Sequence, residues 1–359
     1  MLLQGLFVPL TCPFYRDGQS YLRKIEHNVR RYSLGPAAGL VALAPGGEAA
    51  GLTDLEMQQT LETVAEVAGK EKVLLAGVER SSVRSALELA EQAARAGFDA
   101  ILLAPPTNWA RLVHGSDGSE VLLFYQAIAD ASPLPVVLWN DAAASALRLP
   151  PAALLELAHT PNVIGLFDAA LTKEAFQALQ TGTASLQGEV STTTVFEAVT
   201  KRMLTASAVP PVPAQGLVTI GAHATAPTAI ETPPALPIPT LKTRSRTVGF
   251  QILTAGHAHA MVPLLAAGGA GAMPPLAACA PQGCFEVYAA WKDGDEALAF
   301  ERAKRLTAAE QLMEQLGPAG IKYGCDWNGF YGGQPRLPRL SLTGERRSAV
   351  ERALGEVRN

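Results

Sequence analysis

Two histidines separated by a single residue are candidate metal ligands. His257 and His259 lie in Ala255–Ala260, which reads Ala-Gly-His-Ala-His-Ala. With a carboxylate from Glu48 or Asp168 they could supply nitrogen and oxygen ligands to a divalent metal, which would polarise an oxo group. A pair alone indicates little, and surface or helix-capping histidines are the favoured interpretation. We therefore assign no metal site and expect no cofactor.

Asp168 and Trp139 are the candidate catalytic residues. Asp168 follows an apolar run that ends at Phe167, and burial beside Phe167 and Trp139 would raise its pKa toward that of a general base. The alternative, which the sequence favours, is that Asp168 caps a helix that begins near Leu171. The Trp139 indole can donate a hydrogen bond but does not titrate in a useful range.

Five further residues are candidates for substrate binding, namely Gly46, Gly47, Glu48, Asn108 and Asn140. The two glycines could offer backbone N–H groups to a carboxylate, because a residue without Cβ permits close approach. A tight strand-to-helix turn is the favoured alternative for the glycine pair.

Short apolar runs that alternate with amphipathic helical patterns must position these residues. Continuous apolar runs are typical of strands buried on both faces of a parallel sheet. Two clear helical patterns are Asp54–Ala68 and Ser82–Ala96. The eight predicted strands are Leu6–Leu10, Gly39–Leu43, Val73–Ala76, Ala100–Leu103, Pro135–Trp139, Val163–Phe167, Gly249–Leu253 and Ala270–Met273. This order predicts a (β/α)8 TIM barrel, whose active site lies at the carboxyl ends of the strands.

The spacing between the sixth and seventh strands is too long for a simple barrel. Leu204–Lys242 holds eight prolines among alanines and threonines, a composition that resists regular structure. We predict a first barrel part at 1–203, an inserted Pro/Ala/Thr-rich loop at 204–247 and a last barrel part at 248–294. A helical extension should follow at 295–359. An active-site lid is the alternative interpretation of the insertion, and a short strand at Gly216–Ile220 would fall inside it.

Several short motifs, taken together in order, resemble the dihydrodipicolinate synthase and N-acetylneuraminate lyase family. These motifs are Thr11–Phe14 with Asp17-Gly18, Gly47-Glu48 with Gly51–Thr53, Leu103–Pro106, Trp139-Asn140, Val163–Gly165, Gly320–Gly324 and Gly329–Arg336. The resemblance covers most of the chain outside the insertion. It implies the barrel fold, a small oxo acid as ligand and a homo-oligomeric assembly.

The resemblance also implies an imine chemistry that this sequence does not carry. In the family a barrel lysine condenses with a 2-oxo acid, and Phe167 stands at that position. Trp139 replaces one tyrosine, Pro45-Gly46 replace the paired threonines, and Pro105–Asn108 replaces the second tyrosine motif. The expected arginine is absent from Asp141–Ser145. The sequence therefore describes a divergent member that lacks the Schiff-base lysine.

Composition limits the remaining possibilities. The 359 residues are 48% apolar and carry a formal net charge of −4, which gives no reason to expect nucleic acid or a membrane surface as a partner. Neither a signal peptide nor a membrane span is apparent, so a cytoplasmic location is the expectation. The four cysteines fit no common zinc spacing and are expected to be core thiols.

Three functions remain open from the sequence. The first is a lyase or aldolase-type enzyme that acts on a small oxo acid without an imine. The second is a catalytically inactive barrel that binds a small carboxylate or acts as a structural partner. The third, a Schiff-base lyase with a displaced lysine such as Lys242, is the least favoured. The aromatic replacements Phe167 and Trp139 would make the pocket more apolar, which predicts a preference for a ligand less polar than pyruvate.

Overall fold

Eight parallel strands close into a barrel in the computed structural model, which confirms the predicted (β/α)8 fold. The structure describes residues 1–44, 46–106, 119–141, 147–208 and 241–357. The barrel strands are β1 (Gly5–Pro9), β2 (Gly39–Ala42), β3 (Val73–Val78), β4 (Ala100–Leu103), β5 (Val136–Asn140), β6 (Val163–Asp168), β9 (Gln251–Thr254) and β10 (Gly271–Ala272). They close in the order β1-β10-β9-β6-β5-β4-β3-β2.

Helices follow most strands and pack their apolar faces on the outside of the barrel. They are α1 (Leu22–Ser33), α2 (Asp54–Val67), α3 (Val83–Ala96), α4 (Ser119–Ala131), α5 (Pro151–Ala158), α6 (Lys173–Gly182), α7 (Lys201–Ala208), α8 (Ala258–Ala266), α9 (Pro281–Lys292), α10 (Glu296–Trp327) and α11 (Gly344–Leu354). The predicted helices over 54–68 and 82–96 are confirmed as α2 and α3. Among the helices described, none is both long enough and apolar enough to cross a bilayer.

Local sequence signals explain where α2 and α3 begin and end. Thr53 and Glu56 form a capping box at the start of α2, in which each side chain accepts a hydrogen bond from the other residue's backbone N–H. The predicted apolar stripe of α3 is buried, and the helix ends at Gly97. Gly97 has a φ of +97°, a left-handed conformation that residues with a Cβ rarely adopt.

Inward-pointing side chains fill the barrel as a packed core. Phe7 of β1 and Phe167 of β6 meet edge to face, with ring centroids 5.5 Å apart, and neither ring is exposed. Such a contact stabilises beyond its buried area by about 0.5–1.5 kcal/mol. All four cysteines are buried and form no disulfide in the described structure, as expected for core thiols.

A two-stranded antiparallel hairpin outside the barrel was not predicted from the sequence. It pairs β7 (Gln187–Thr193) with β8 (Thr243–Gly249), from Gln187 opposite Gly249 to Thr193 opposite Thr243. These strands are polar and mostly exposed, so they lack the apolar runs that marked the barrel strands. Strand β8 lies at the end of the predicted 204–247 insertion, whereas β7 ends before the insertion begins, with α7 between them. The strand predicted at Gly216–Ile220 lies outside the described residues.

The C-terminal segment forms helices that pack beside the barrel, as the predicted extension requires. The longest, α10, is interrupted at Gly317, where φ is 60° and ψ is −148°, and Pro318 follows. A positive φ is inexpensive for glycine, and proline cannot donate the backbone hydrogen bond of a continuous helix. Residues of α10 on both sides of this interruption line the cavity at the barrel mouth, among them Met313 and Ile321.

Candidate active site

A cavity of about 780 Å³ opens at the carboxyl ends of the barrel strands. Residues after several strands form its floor and walls, and α10 contributes one side with Glu310, Met313 and Ile321. The polar and charged side chains that line it are Thr11, Glu48, Glu79, Asp141, Arg148, His257, Glu310, Glu314 and Arg339. A cavity at this end of the barrel is where TIM-barrel enzymes place their active sites.

Glu79 is a partly buried carboxyl group that lines the cavity directly after β3. Burial raises its pKa above the ordinary glutamate value. Within the described ranges, no hydrogen bond or ion pair joins its carboxylate to another residue. Glu79 is not among the site residues predicted from the sequence, although its position directly after a strand is the signal that could have identified it. A partly buried carboxyl group with a raised pKa at the mouth of the cavity is suited to exchange protons with a ligand.

Trp139 lines the cavity from β5, whereas Phe167 lies deeper in the core. In the paired strands Trp139 stands opposite Phe167, which is fully buried. Among the described residues, no acceptor lies within hydrogen-bonding distance of the buried Trp139 Nε1. An unpaired buried donor costs about 1–3 kcal/mol, which a hydrogen bond from this N–H to a ligand would recover. None of the eight barrel strands, as bounded above, contains a lysine.

The buried Asp168 carboxylate holds a polar network beneath the cavity. It accepts hydrogen bonds from Asn140 Nδ2 at 2.6 Å, from Arg148 Nη2 at 2.9 Å and from the backbone N–H of Ala170 at 2.9 Å. The following helix α6 is capped by Thr172, so the N-cap role suggested for Asp168 is wrong. The carboxylate is not among the described groups that line the cavity.

Asn140 and Arg148 complete this network from β5 and the segment after it. The Asn140 side chain exchanges two hydrogen bonds with the backbone of Leu149, one at 2.8 Å and one at 3.2 Å. These bonds fix the loop that carries Arg148, whose guanidinium lines the cavity with 34% of its side chain exposed. Sequence reasoning sought an arginine only at positions 141–145 and missed Arg148. The sequence feature that could have pointed to Arg148 is its position just before helix α5, which begins at a proline.

The turn after β2 uses its glycines for close packing. The Gly47 N–H donates to Ala44 O at 3.0 Å, and a Cβ at Gly47 would lie 2.4 Å from Leu10 O. This amide is therefore engaged within the turn. Gly46 has a φ of +83° and lines the cavity. The tight turn that the sequence favoured for this pair is observed, and the predicted site residue Asn108 lies outside the described residues.

Glu48 forms a buried ion pair with Lys322 that fastens α10 to the barrel. Lys322 Nζ lies 2.5 Å from Glu48 Oε2 and donates to Gln334 O at 3.0 Å. Neither side chain is more than 1% exposed, and the ammonium also lies over the Phe14 ring. Burial lowers the pKa of Lys322, and the carboxylate of Glu48 opposes that effect. The ammonium is thus fixed in a structural contact, whereas Lys242 is exposed on the hairpin.

The two histidines lie where β9 passes into α8, at the rim of the cavity. His257 Nδ1 is 3.5 Å from Glu310 Oε2, and His257 Nε2 is 3.3 Å from Glu314 Oε2. The contact with Glu310 is the main reason that the pKa of His257 is raised. The exposed His259 ring lies 5.6 Å from the His257 ring, centroid to centroid. The carboxylates beside the histidines are therefore Glu310 and Glu314 of α10. Glu48 and Asp168, which the sequence suggested as metal ligands, are instead paired with Lys322 and Arg148.

Comparison with known proteins divides the chain into two matched segments, which are separated by a gap that begins within strand β7 and ends just before strand β8. Residues 2–189 and 240–357 match the model of the Dihydrodipicolinate synthetase family. The chain belongs to this family. The intervening residues 190–239, which the family model leaves unmatched, include most of the predicted insertion.

Curated relatives of this family member include both aldolases and synthases. An L-threo-3-deoxy-hexylosonate aldolase of Aspergillus niger is 26% identical over 330 residues, 90% of this chain and 85% of the relative. A 4-hydroxy-tetrahydrodipicolinate synthase of Acidiphilium cryptum is 24% identical over 98% of each chain. A probable mitochondrial 4-hydroxy-2-oxoglutarate aldolase of Emericella nidulans is 30% identical, but over only 46% of this chain and 54% of the relative.

Solved structures in the family share the fold at low sequence identity. A dihydrodipicolinate synthase from Bacillus anthracis superposes with a TM-score of 0.75 at 17% identity and covers both chains fully. An E. coli K12 prophage protein of the family, solved in complex with pyruvate, gives a TM-score of 0.73 at 21% identity over 99% of each chain. These likenesses establish the barrel, and the chemistry has to be argued from the residues of the cavity.

Proposed function

We propose that this family member is a lyase of the aldolase type that cleaves or forms a carbon–carbon bond in a small oxo acid without a lysine imine. The cavity itself carries the proposal. It presents the carboxyl group of Glu79, which has no partner among the described residues, at the carboxyl end of a barrel whose strands contain no lysine. Relatives named as aldolases of 3-deoxy-hexylosonate and 4-hydroxy-2-oxoglutarate support the oxo-acid class.

Three side chains are assigned to the substrate. Arg148 faces the cavity with a fixed positive charge and is suited to pair with the substrate carboxylate. The Trp139 N–H, which lacks an acceptor among the described residues, is assigned as the donor to an oxo oxygen. Glu79 serves as the proton-transfer group. Asp168 and Asn140 act through Arg148, because they hold its guanidinium and its loop in position.

The cleavage of a 4-hydroxy-2-oxo acid illustrates the proposed chemistry. Ionised Glu79 accepts the proton of the 4-hydroxyl group, the C3–C4 bond breaks, and C4 leaves as an aldehyde. The electron pair of that bond becomes the enolate of the 2-oxo acid, whose oxygen accepts the hydrogen bond from Trp139. Glu79 then returns the proton to C3, which yields the free 2-oxo acid.

Product formation from a substrate panel tests this proposal. Purified protein is incubated with 4-hydroxy-2-oxo acids and with 2-oxo-3-deoxy sugar acids, and the released 2-oxo acid and aldehyde are quantified by chromatography. We expect equal amounts of both products from at least one substrate. Absence of turnover with every member of the panel, in both the cleavage and the condensation direction, contradicts the proposal.

A binding protein without turnover is the second candidate function, and one observation favours it. Two buried carboxylates, Glu48 after β2 and Asp168 at the end of β6, form ion pairs with Lys322 and Arg148. Both carboxylates therefore serve the structure and are not available as a general base, which favours binding without turnover. Saturable binding of a small carboxylate in calorimetry, combined with no product, identifies this function.

Replacement of Arg148 by methionine should raise KM more than it lowers kcat. We expect a rise in KM of about 10- to 100-fold, because a charged hydrogen bond to the substrate carboxylate contributes about 1.5–3 kcal/mol. Steady-state kinetics measure the change, and Arg84→Met, at an exposed arginine of α3, is the matched control. An unchanged KM in a folded Arg148→Met protein argues against this anchor.

A further inference from the structure

We infer that His257, His259 and Glu310 form a binding site for one divalent transition-metal ion, of the zinc type, at the rim of the cavity. One ligand atom from each of the three side chains lies within 4.8 Å of the others. His257 and Glu310 also line the cavity, so a metal there would face the substrate. Two imidazoles and one carboxylate are a ligand set that catalytic zinc sites use, with a further position left for substrate or water.

The orientation of Glu310 points to a cation. Its side chain is 3% exposed, and Oε1 accepts a hydrogen bond of 2.6 Å from the backbone N–H of Ala258. Oε2 is buried and, among the described residues, accepts no hydrogen bond of good geometry. His257 Nδ1 at 3.5 Å is too distant for a strong one. One oxygen of a buried carboxylate is thus held in place while the other is directed at the histidine pair.

The geometry and charge of the cluster suit a small dication. Ligand atoms at about 2.0–2.1 Å in a tetrahedral zinc site lie roughly 3.4 Å apart, so the three side chains need to approach one another by about an ångström. The exposed His259 side chain is free to make most of that movement. Glu314 Oε2, 3.3 Å from His257 Nε2, adds a second negative charge beside the site. In the described structure, no lysine or arginine contacts these side chains.

This inference deepens the proposed function, on which its catalytic part rests. Without an imine, the Trp139 N–H stabilises the enolate oxygen in the proposed reaction, and a metal ion would add a stronger electrophile beside it. A metal at His257 and Glu310 would polarise the oxo group and accept the negative charge that develops on its oxygen. Metal binding itself does not depend on the proposed reaction and can be measured separately.

Binding of Zn²⁺ and Co²⁺ to the purified full-length protein tests the site. The protein is stripped with a chelator and dialysed, and each ion is titrated in a calorimeter, with Co²⁺ also followed by its visible absorption. We expect one ion per chain. His257→Gln and Glu310→Gln should each weaken binding by about 100-fold or more, because loss of a ligand exceeds the 10- to 100-fold effect of losing a residue that only supports one.

Two controls make the result decisive. His27→Gln, at an exposed histidine of α1, should bind both ions as tightly as the unchanged protein. His259→Gln replaces an exposed side chain, so it reports on metal binding even if a buried variant fails to fold. Absence of a stoichiometric site, or binding that none of the three substitutions weakens, overturns the inference.

The metal site and the proposed function can fail independently. If the protein binds no metal and its turnover is unaffected by chelator, the metal inference fails and the aldolase proposal stands. If one ion binds through these residues but no substrate is converted, the site stands and the aldolase proposal fails.

Discussion

Replacement of Glu79 by glutamine should lower kcat by about 10²- to 10⁴-fold, the contribution typical of a positioned general acid or base. The glutamine keeps the size and polarity of the side chain but can no longer accept or return the proton. Steady-state kinetics on the substrate identified from the panel measure the loss. Glu66→Gln, at an exposed carboxylate of α2, is the matched control and should leave kcat unchanged.

The pH profile of the unchanged enzyme should carry the signature of Glu79. Burial raises the pKa of this carboxyl group, and the proposed base is its ionised form. The value of kcat/KM should therefore rise with increasing pH through a midpoint above the ordinary carboxyl range. This acid limb should disappear in Glu79→Gln. A limb that persists in the variant assigns the titration to another group.

Replacement of Lys322 by methionine should destabilise the protein by about 3 kcal/mol, because it removes the nearer of the two cations that face the buried Glu48 carboxylate and leaves the half-exposed Arg339 at 3.7 Å. The two side chains are 0% and 1% exposed, so solvent cannot substitute for the lost partner. Chemical denaturation in urea measures the free energy of unfolding. Lys304→Met, at an exposed lysine of the same helix, should change it by less than about 0.5 kcal/mol.

A double variant separates the ion pair from simple packing. Glu48→Gln in the Lys322→Met background removes the uncompensated charge and should recover part of the lost stability, since a buried pair replaced on both sides is often close to neutral. If the double variant is as unstable as the sum of the two single variants, the pair does not account for the effect.

The barrel was predictable because its strands carry a strong local signal. Each is a short apolar run buried on both faces, such as Ala100–Leu103, and the runs recur between amphipathic helices. The β7–β8 hairpin carries no such signal, because strands exposed on both faces, such as Thr243–Gly249, do not need apolar residues. The helix start assigned to Asp168 was wrong because Thr172, four residues later, offers an equally good cap.

The site was less predictable because tertiary packing, rather than sequence spacing, assembles it. The helical pattern of α10 shows that Glu310 lies on a helix but not that the helix crosses the barrel mouth and brings it to His257. Lys322 likewise reads as a tail lysine until its contact with Glu48, 274 residues earlier, is seen. Residues at strand ends, such as Glu79 and Trp139, line the cavity, as the barrel rule for active-site location leads one to expect.

Reductive trapping with sodium borohydride in the presence of pyruvate tests the absence of a lysine imine most directly. Borohydride reduces an imine to a stable amine, so intact-mass spectrometry would detect a covalent pyruvate adduct on the chain. A lysine-dependent aldolase serves as the positive control. We expect no adduct on this protein under conditions in which it turns over substrate. A stoichiometric adduct, mapped to any lysine of the chain, would contradict the proposed non-imine mechanism.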